Sequence, residues 1–192
     1  MTGHSGPRDD LPRGHRILAF LPHQTEALVD FLTGESWPFH AIVQEAPAIR
    51  QRAAAGLYDD AENRTFWLLA DGERAGLVRL QELTDFTPMF DLRIREAWRG
   101  RGLGTAALRW LTSHLFTEFP GIRRIEGNTR QDNHPMRAVF RKCGYVKESH
   151  YREAWPAPDG TVYDSAGYAI LRRDWESGTV TPPDWNDEPG AR

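Results

Sequence analysis

The sequence predicts a single α/β domain, a mostly antiparallel sheet packed with helices. Three observations carry this. The chain has 192 residues, 40% apolar and 27% charged, which suits one globular domain with a sizeable core. Short strand-like runs, apolar at 65–70, returning at 74–80 and of period two at 89–94, alternate with runs of period 3.6 (103–118 and 133–143). Between the strand at Met89 and the helix ending at Glu118 lies a glycine-rich turn, Arg99-Gly100-Arg101-Gly102-Leu103-Gly104.

In chain order, residues 1–13 are rich in Gly, Pro and charge and read as a mobile arm. His15 to Leu21 reads as a first strand. A helix runs from Pro22 to about Leu32, with Leu28, Phe31 and Leu32 on its apolar face, and Gly34 stops it. Trp37, Phe39 and His40 crowd the following loop, where they either line an acceptor pocket or pin the loop to the core. Ala46 to Leu57 reads as a second helix, with Pro47 suited to its first turn. Thr65 to Ala70 and Arg74 to Leu80 form a hairpin about Asp71-Gly72. The Met89–Ile94 strand follows.

The helix after the glycine turn places Leu108, Leu111 and Leu115 on one stripe and ends at Pro120-Gly121. A strand spans Ile122 to Thr129. Asn133 is a natural N-cap and Pro135 a natural first-turn residue for a short helix carrying Met136, Val139, Phe140 and Cys143, closed by Gly144. Tyr145 to Trp155 and Thr161 to Leu171 make a final hairpin. Residues 176–192 read as an acidic, Pro-containing solvated tail, with packing of Trp185 as the sharper alternative.

The turn at 99–104 points to an anion. The first N–H groups of a helix have no partner within it, and the helix dipole adds about half a positive charge there. Glycines allow a sharp turn and close approach. Arg93, Arg95, Arg99 and Arg101 surround it, against one Glu96. From spacing alone the turn reads equally well as strand-to-helix punctuation. A nucleotide P-loop would need Gly-Lys-Ser/Thr next, and a dinucleotide fold an acidic residue ending the following parallel strand. Neither is present.

Arg99-x-x-Gly102-x-Gly104, after a strand and opening a helix, resembles the acetyl-CoA pyrophosphate motif of the GNAT superfamily of N-acetyltransferases. The block from Asn133 to Tyr145 is similar to the family's asparagine-helix-Gly-aromatic segment. The run from Tyr151 to Trp175 resembles the Rim-type branch, which acetylates protein N-termini and related amines. The resemblance covers about residues 14–175. It implies a twisted sheet with helices on both faces and a V-shaped splay beside the 89–95 strand. It also implies acetyl transfer from acetyl-CoA to a primary amine on a protein N-terminus or small molecule. An aminoglycoside-type antibiotic acetyltransferase and a non-catalytic acyl-CoA-binding module are the alternatives.

On that resemblance, Arg99, Gly100, Arg101, Gly102, Leu103, Gly104 and Thr105 hold the pyrophosphate. Leu92, Ile94 and Arg95 offer main-chain pairing to the pantetheine arm, Asn133 contacts that arm or caps its helix, and Arg141 or Lys142 meets the terminal phosphate. Phe140 stands where many members have a tyrosine acid, so the usual proton donor is absent and Tyr145 is the substitute, with Tyr168 or a water as others. Glu82, Asp91 and Glu153 are candidate bases, with Asp85 and His150 beside them. Trp37, Phe39, His40 and Asp85 are candidate acceptor-binding residues. Each carboxylate is equally readable as surface charge.

Composition narrows the partners. A net charge of −3 argues against nucleic acid. No apolar run reaches the ~18 residues of a membrane span, and the polar N-terminus suggests a cytoplasmic protein. One cysteine excludes an internal disulfide, and the seven histidines lack metal-ligand spacing, so no metal is expected. A monomer or homodimer is expected.

Overall fold

Asp71 and Gly72 both take positive φ, 50° and 85°, the backbone of a tight hairpin turn. In the computed structural model, which describes residues 11, 14–40 and 42–185, this turn joins β2 (Arg64–Ala70) to β3 (Glu73–Gln81). Strand β1 (His15–Ala19) adds antiparallel to β2, and β4 (Met89–Ile94) adds antiparallel to β3. The second half of the sheet comprises β5 (Arg124–Arg130), β6 (Val146–Pro156) and β7 (Val162–Leu171). The order is β1-β2-β3-β4-β5-β7-β6. Only β4 and β5 run parallel.

Alternation along β2 and β3 sorts side chains onto two faces. Trp67 and Leu77 join Leu28, Phe31 and Ile49 of α1 (Thr25–Thr33) and α2 (Ala46–Ala54). Leu68, Val78 and Leu80 join Leu108, Leu111 and Leu115 of α3 (Leu103–Glu118), with Phe140 of α4 (His134–Lys142). Helices therefore cover both faces, as expected.

The splay is built in at the β4–β5 seam. Its single register pair is Met89 with Glu126. Glu126 N–H donates to Pro88 O at 3.0 Å, and beyond this point the strands part. Aromatic rings fill the base of the V. Phe140 stacks on Tyr168 at 4.6 Å, and Phe90 lies 6.1 Å from Phe140. A Cβ on Gly127 would come within 2.8 Å of both Phe90 and Phe140, so the wedge requires glycine there.

Two expectations shift. The first strand ends at Ala19, and a short 3-10 turn (Pro22–Gln24) precedes α1. The chain after β7 forms α5 (Arg172–Ser177) rather than passing directly into a tail. Buried Asp174 accepts from Thr181 N and Oγ1 at 3.1 and 2.6 Å, holding the start of the C-terminal segment to the domain. Trp185 is exposed. Leu11 packs against the core, and the rest of the 1–13 arm lies outside the described residues, as do residues 186–192.

Arg172 locks this end. Its guanidinium donates to Phe116 O, Phe119 O and Ile122 O at 2.7, 2.8 and 2.7 Å, satisfying carbonyls at the negative end of α3. Arg172→Met is expected to lower unfolding free energy by about 2 kcal/mol, checked by urea denaturation.

Candidate active site

Two clefts open into the splay. The first, about 370 Å³, lies between β4, the start of α3 and α4. The second, about 600 Å³, lies over β3 and β4. Phe39, His40, Leu92, Arg93, Asn133 and Met136 line both, so the clefts meet at these residues.

The floor of the first cleft is the glycine turn. Gly100 and Gly102 sit at φ 74° and 85°, which other residues adopt only under strain. Gly102 is the N-cap of α3, with no side chain capping it. The first turn leaves the N–H groups of Leu103, Gly104 and Thr105 without carbonyl partners inside the helix; the bond from Ala106 N to Gly102 O, 3.0 Å, begins the ladder. Arg99 and Lys142 add positive charge. Arg99 is held by Ile94 O at 2.9 Å and lies 3.5 Å from Glu35. This donor-rich, cationic floor suits a phosphate or diphosphate.

Of the expected cofactor residues, Leu92, Ile94, Arg99, Gly100, Gly102, Leu103, Gly104, Thr105 and Asn133 line this cleft. Arg95, Arg101 and Arg141 do not. Arg95 pairs its N–H with Ala75 O at 2.9 Å and lays its guanidinium over Phe31. Arg101 lies over Trp98, and Arg141 is exposed, with its neighbour Lys142 at the cleft instead. Asn133 caps α4 by accepting from Met136 N at 3.2 Å, and its Nδ2 donates to Thr129 Oγ1 at 2.9 Å.

The aromatic loop at 34–40 is pinned and lines the site at once. Trp37 Nε1 donates to Leu32 O at 2.9 Å, and Arg130 donates to Pro38 O at 3.1 Å while covering Phe39. Trp37 faces the first cleft rather than the second; Phe39 and His40 face both.

His40 Nε2 lies 3.0 Å from Asp91 Oδ1, and Arg93 Nε and Nη2 lie 2.9 Å from Asp91 Oδ2. Burial alone would raise the Asp91 pKa, but the His40 hydrogen bond and the Arg93 charge outweigh it and hold the carboxyl well below its ordinary value. Asp91 is thus an ionised acceptor at neutral pH and a poor base. Because this carboxylate can only accept, His40 Nε2 is the donor in their hydrogen bond, and in that tautomer the ring lone pair is on Nδ1. That Nδ1 is buried with no hydrogen-bond partner among the described residues. Arg93 Nη1 and Asn128 Oδ1, also on the cleft walls, are likewise unpartnered.

The other expected catalytic residues stand elsewhere. Tyr145 is 2% exposed, its hydroxyl 2.8 Å from Thr112 Oγ1, and burial pushes its pKa well above the phenol range. Glu82 is exposed in the turn after β3, with φ 59°. Asp85 is exposed and accepts from Thr87 N at 2.8 Å. Glu153 is exposed on a bulge of β6, and its N–H donates to Asp164, which also holds His150. None of these lines either cleft. Cys143 is a core thiol, pushed up to about 11 by burial, its Sγ 3.6 Å from Thr105 O.

Residues missed by sequence reading include Arg79, Gln81 and Asn128 in the second cleft, and Met136 and Val139 around the first. Period-two alternation marks Leu77, Arg79 and Gln81 as one face of β3. Placing them against Asp91 requires the β3–β4 register, which pairs Arg79 with Asp91.

A family model described as the acetyltransferase (GNAT) family matches residues 28–145. Solved structures share the fold. A probable acetyltransferase is 23% identical, with TM-score 0.71, covering 85% of this chain and 96% of that one. RimL, a ribosomal L7/L12 alpha-N-protein acetyltransferase in complex with coenzyme A, is 19% identical, with TM-score 0.73, covering 83% and 95%. A dodecameric spermidine N-acetyltransferase from Vibrio cholerae is 18% identical, with TM-score 0.71, covering 85% and 97%. No curated protein sequence gives a significant match. Among the described residues no helix is long and apolar enough to cross a membrane, and no His, Cys, Asp and Glu cluster could hold a metal ion.

Proposed function

The chain belongs to the acetyltransferase (GNAT) family, and from that premise we propose that it transfers an acetyl group from acetyl-CoA to a primary amine by direct attack. The observation that carries this is the meeting of the two clefts at the His40–Asp91 pair. The pyrophosphate lies on the N–H groups of Leu103, Gly104 and Thr105, with Arg99 and Lys142 beside it. The pantetheine arm follows the edge of β4 left unpaired past Met89, much as a peptide adds to a sheet edge.

The acceptor amine enters from the second cleft. His40 Nδ1 takes a proton from the amine nitrogen as that nitrogen attacks the thioester carbon. The carbon–sulfur bond then breaks, and the sulfur leaves as thiolate. No tyrosine, serine or cysteine lines either cleft among the described residues. The imidazolium of His40, at the junction, is the acid that returns the proton to the sulfur. Asp91 positions the ring and stabilises its charged form, as an acid behind a histidine does in other acyl-transfer sites.

Thiol release from acetyl-CoA against an amine panel tests this: peptides with varied N-termini, amino acids, aminoglycosides and spermidine. Amine-dependent thiol release with a matching acetylated product is expected. Binding of CoA without turnover across the panel would favour a non-catalytic acyl-CoA-binding role.

A further inference from the structure

The second cleft has an unexpected charge. Its wall holds three arginines, Arg52, Arg79 and Arg93, against one carboxylate, Asp91. Asp91 is already committed to Arg93 and His40. Arg79 has no carboxylate partner among the described residues. Its Nη2 donates to Leu57 O and Asn63 Oδ1, both at 2.9 Å, which anchors the guanidinium, and the Tyr58 ring lies 5.0 Å from it. Its Nε is buried with no partner. Arg79 lines the cleft, and a guanidinium fixed there without a carboxylate partner is a ready receptor for an anion. Burial also lowers its pKa, the signature of a cation without full compensation.

We propose that the acceptor amine carries a carboxylate or similar anion a few bonds away, held by Arg79 with Arg52 at the rim. The spacing follows from the sheet. Arg79 lies directly opposite Asp91 in the β3–β4 register, and such neighbours have Cβ atoms about 5 Å apart. An anion on Arg79 therefore sits close to an amine delivered to His40. Leu57, Met89, Phe90 and Trp155 also line the wall, beside the polar Gln81, Asn128 and Thr129, so an apolar body between or beside the two groups finds an apolar surface there. An apolar amino acid fits this description, and so does a peptide beginning with an acidic residue. A polyamine does not, because its ammonium groups would face three guanidiniums.

This inference rests on the acetyl-transfer reading, and the test separates the two. Acetylation is compared for L-leucine and L-leucinamide, for peptides beginning with Asp and with Asn, and for spermidine. Wild type, Arg79→Gln and Arg79→Lys are measured in parallel. Independently of turnover, calorimetry compares N-acetyl-L-leucine with N-acetyl-L-leucinamide, and N-acetylated forms of the two peptides, on the CoA-loaded protein.

The carboxylate member of at least one pair is expected to be preferred by about tenfold or more. Arg79→Gln should abolish that preference and Arg79→Lys should retain most of it, which excludes simple loss of fold. Preference in the leucine pair identifies a free amino acid, and preference in the peptide pair an acidic N-terminus. Equal use of amide and carboxylate, better use of spermidine, or a preference that survives Arg79→Gln would overturn the proposal. If no amine is acetylated, the transfer reading fails, and calorimetry alone decides the anion site. Carboxylate-selective binding lost in Arg79→Gln upholds it; equal or undetectable binding of both forms overturns it.

Discussion

His40→Gln is expected to lower kcat by about 10²- to 10³-fold, the usual contribution of a positioned general base, while changing the KM for acetyl-CoA only a few-fold. The fall follows from His40 being, among the described residues that line both clefts, the one side chain with a basic lone pair. Asp91 does not replace it, because the Arg93 guanidinium still holds that carboxylate and keeps it a weak base.

Asp91→Asn tests the pair from the other side. An amide can donate to Nε2, which would drive the ring proton onto Nδ1 and remove the lone pair. A loss of about 10²-fold in kcat is expected, with binding of CoA preserved. The same carboxylate bears on stability. Because its folded pKa is depressed, its contribution is present above about pH 4, the ordinary aspartate value, and lost as pH falls below it. The stability difference between wild type and Asp91→Asn, followed by urea denaturation, should therefore shrink in acid.

Gly104→Leu is expected to weaken binding of CoA by on the order of 100-fold, close to 3 kcal/mol, with little change in melting temperature. A Cβ at this position would meet only Val139 Cγ2, at 3.6 Å, an ordinary contact, so the helix tolerates it. The leucyl group would then occupy a cleft that Gly104 and Val139 both line and cover first-turn N–H groups that the phosphates need. Calorimetry with CoA reads the affinity, and circular dichroism reads the fold. Unchanged affinity would remove the turn from the cofactor site.

What the sequence made legible was local. The Asp71-Gly72 hairpin, the helix opening at Leu103 and the Asn133 cap depend on residues a few positions apart, and turn and cap chemistry names them. The glycine turn was legible for the same reason, since its anion-binding groups are consecutive main-chain donors. The proposed catalytic pair was not. His40 and Asp91 are 51 positions apart, and their contact depends on a loop pinned by Trp37 and Arg130. Asp91 was singled out, but its partners, which decide whether a carboxylate is a base, were hidden in tertiary packing. Tyr145 failed as an acid for a similar reason: its position suggested chemistry, while its burial against Thr112 makes it core. Arg79 looked like one polar residue on an alternating strand until the register put it across from Asp91.

The most direct test of the central claim, that an amine from one cleft attacks the thioester in the other, is the initial rate of thiol release with acetyl-CoA and acceptor varied together. Double-reciprocal lines that intersect are predicted, since both substrates must be bound before any bond changes. Parallel lines, with acetyl-protein accumulating when amine is withheld, would contradict it and require a covalent route that the two clefts do not provide.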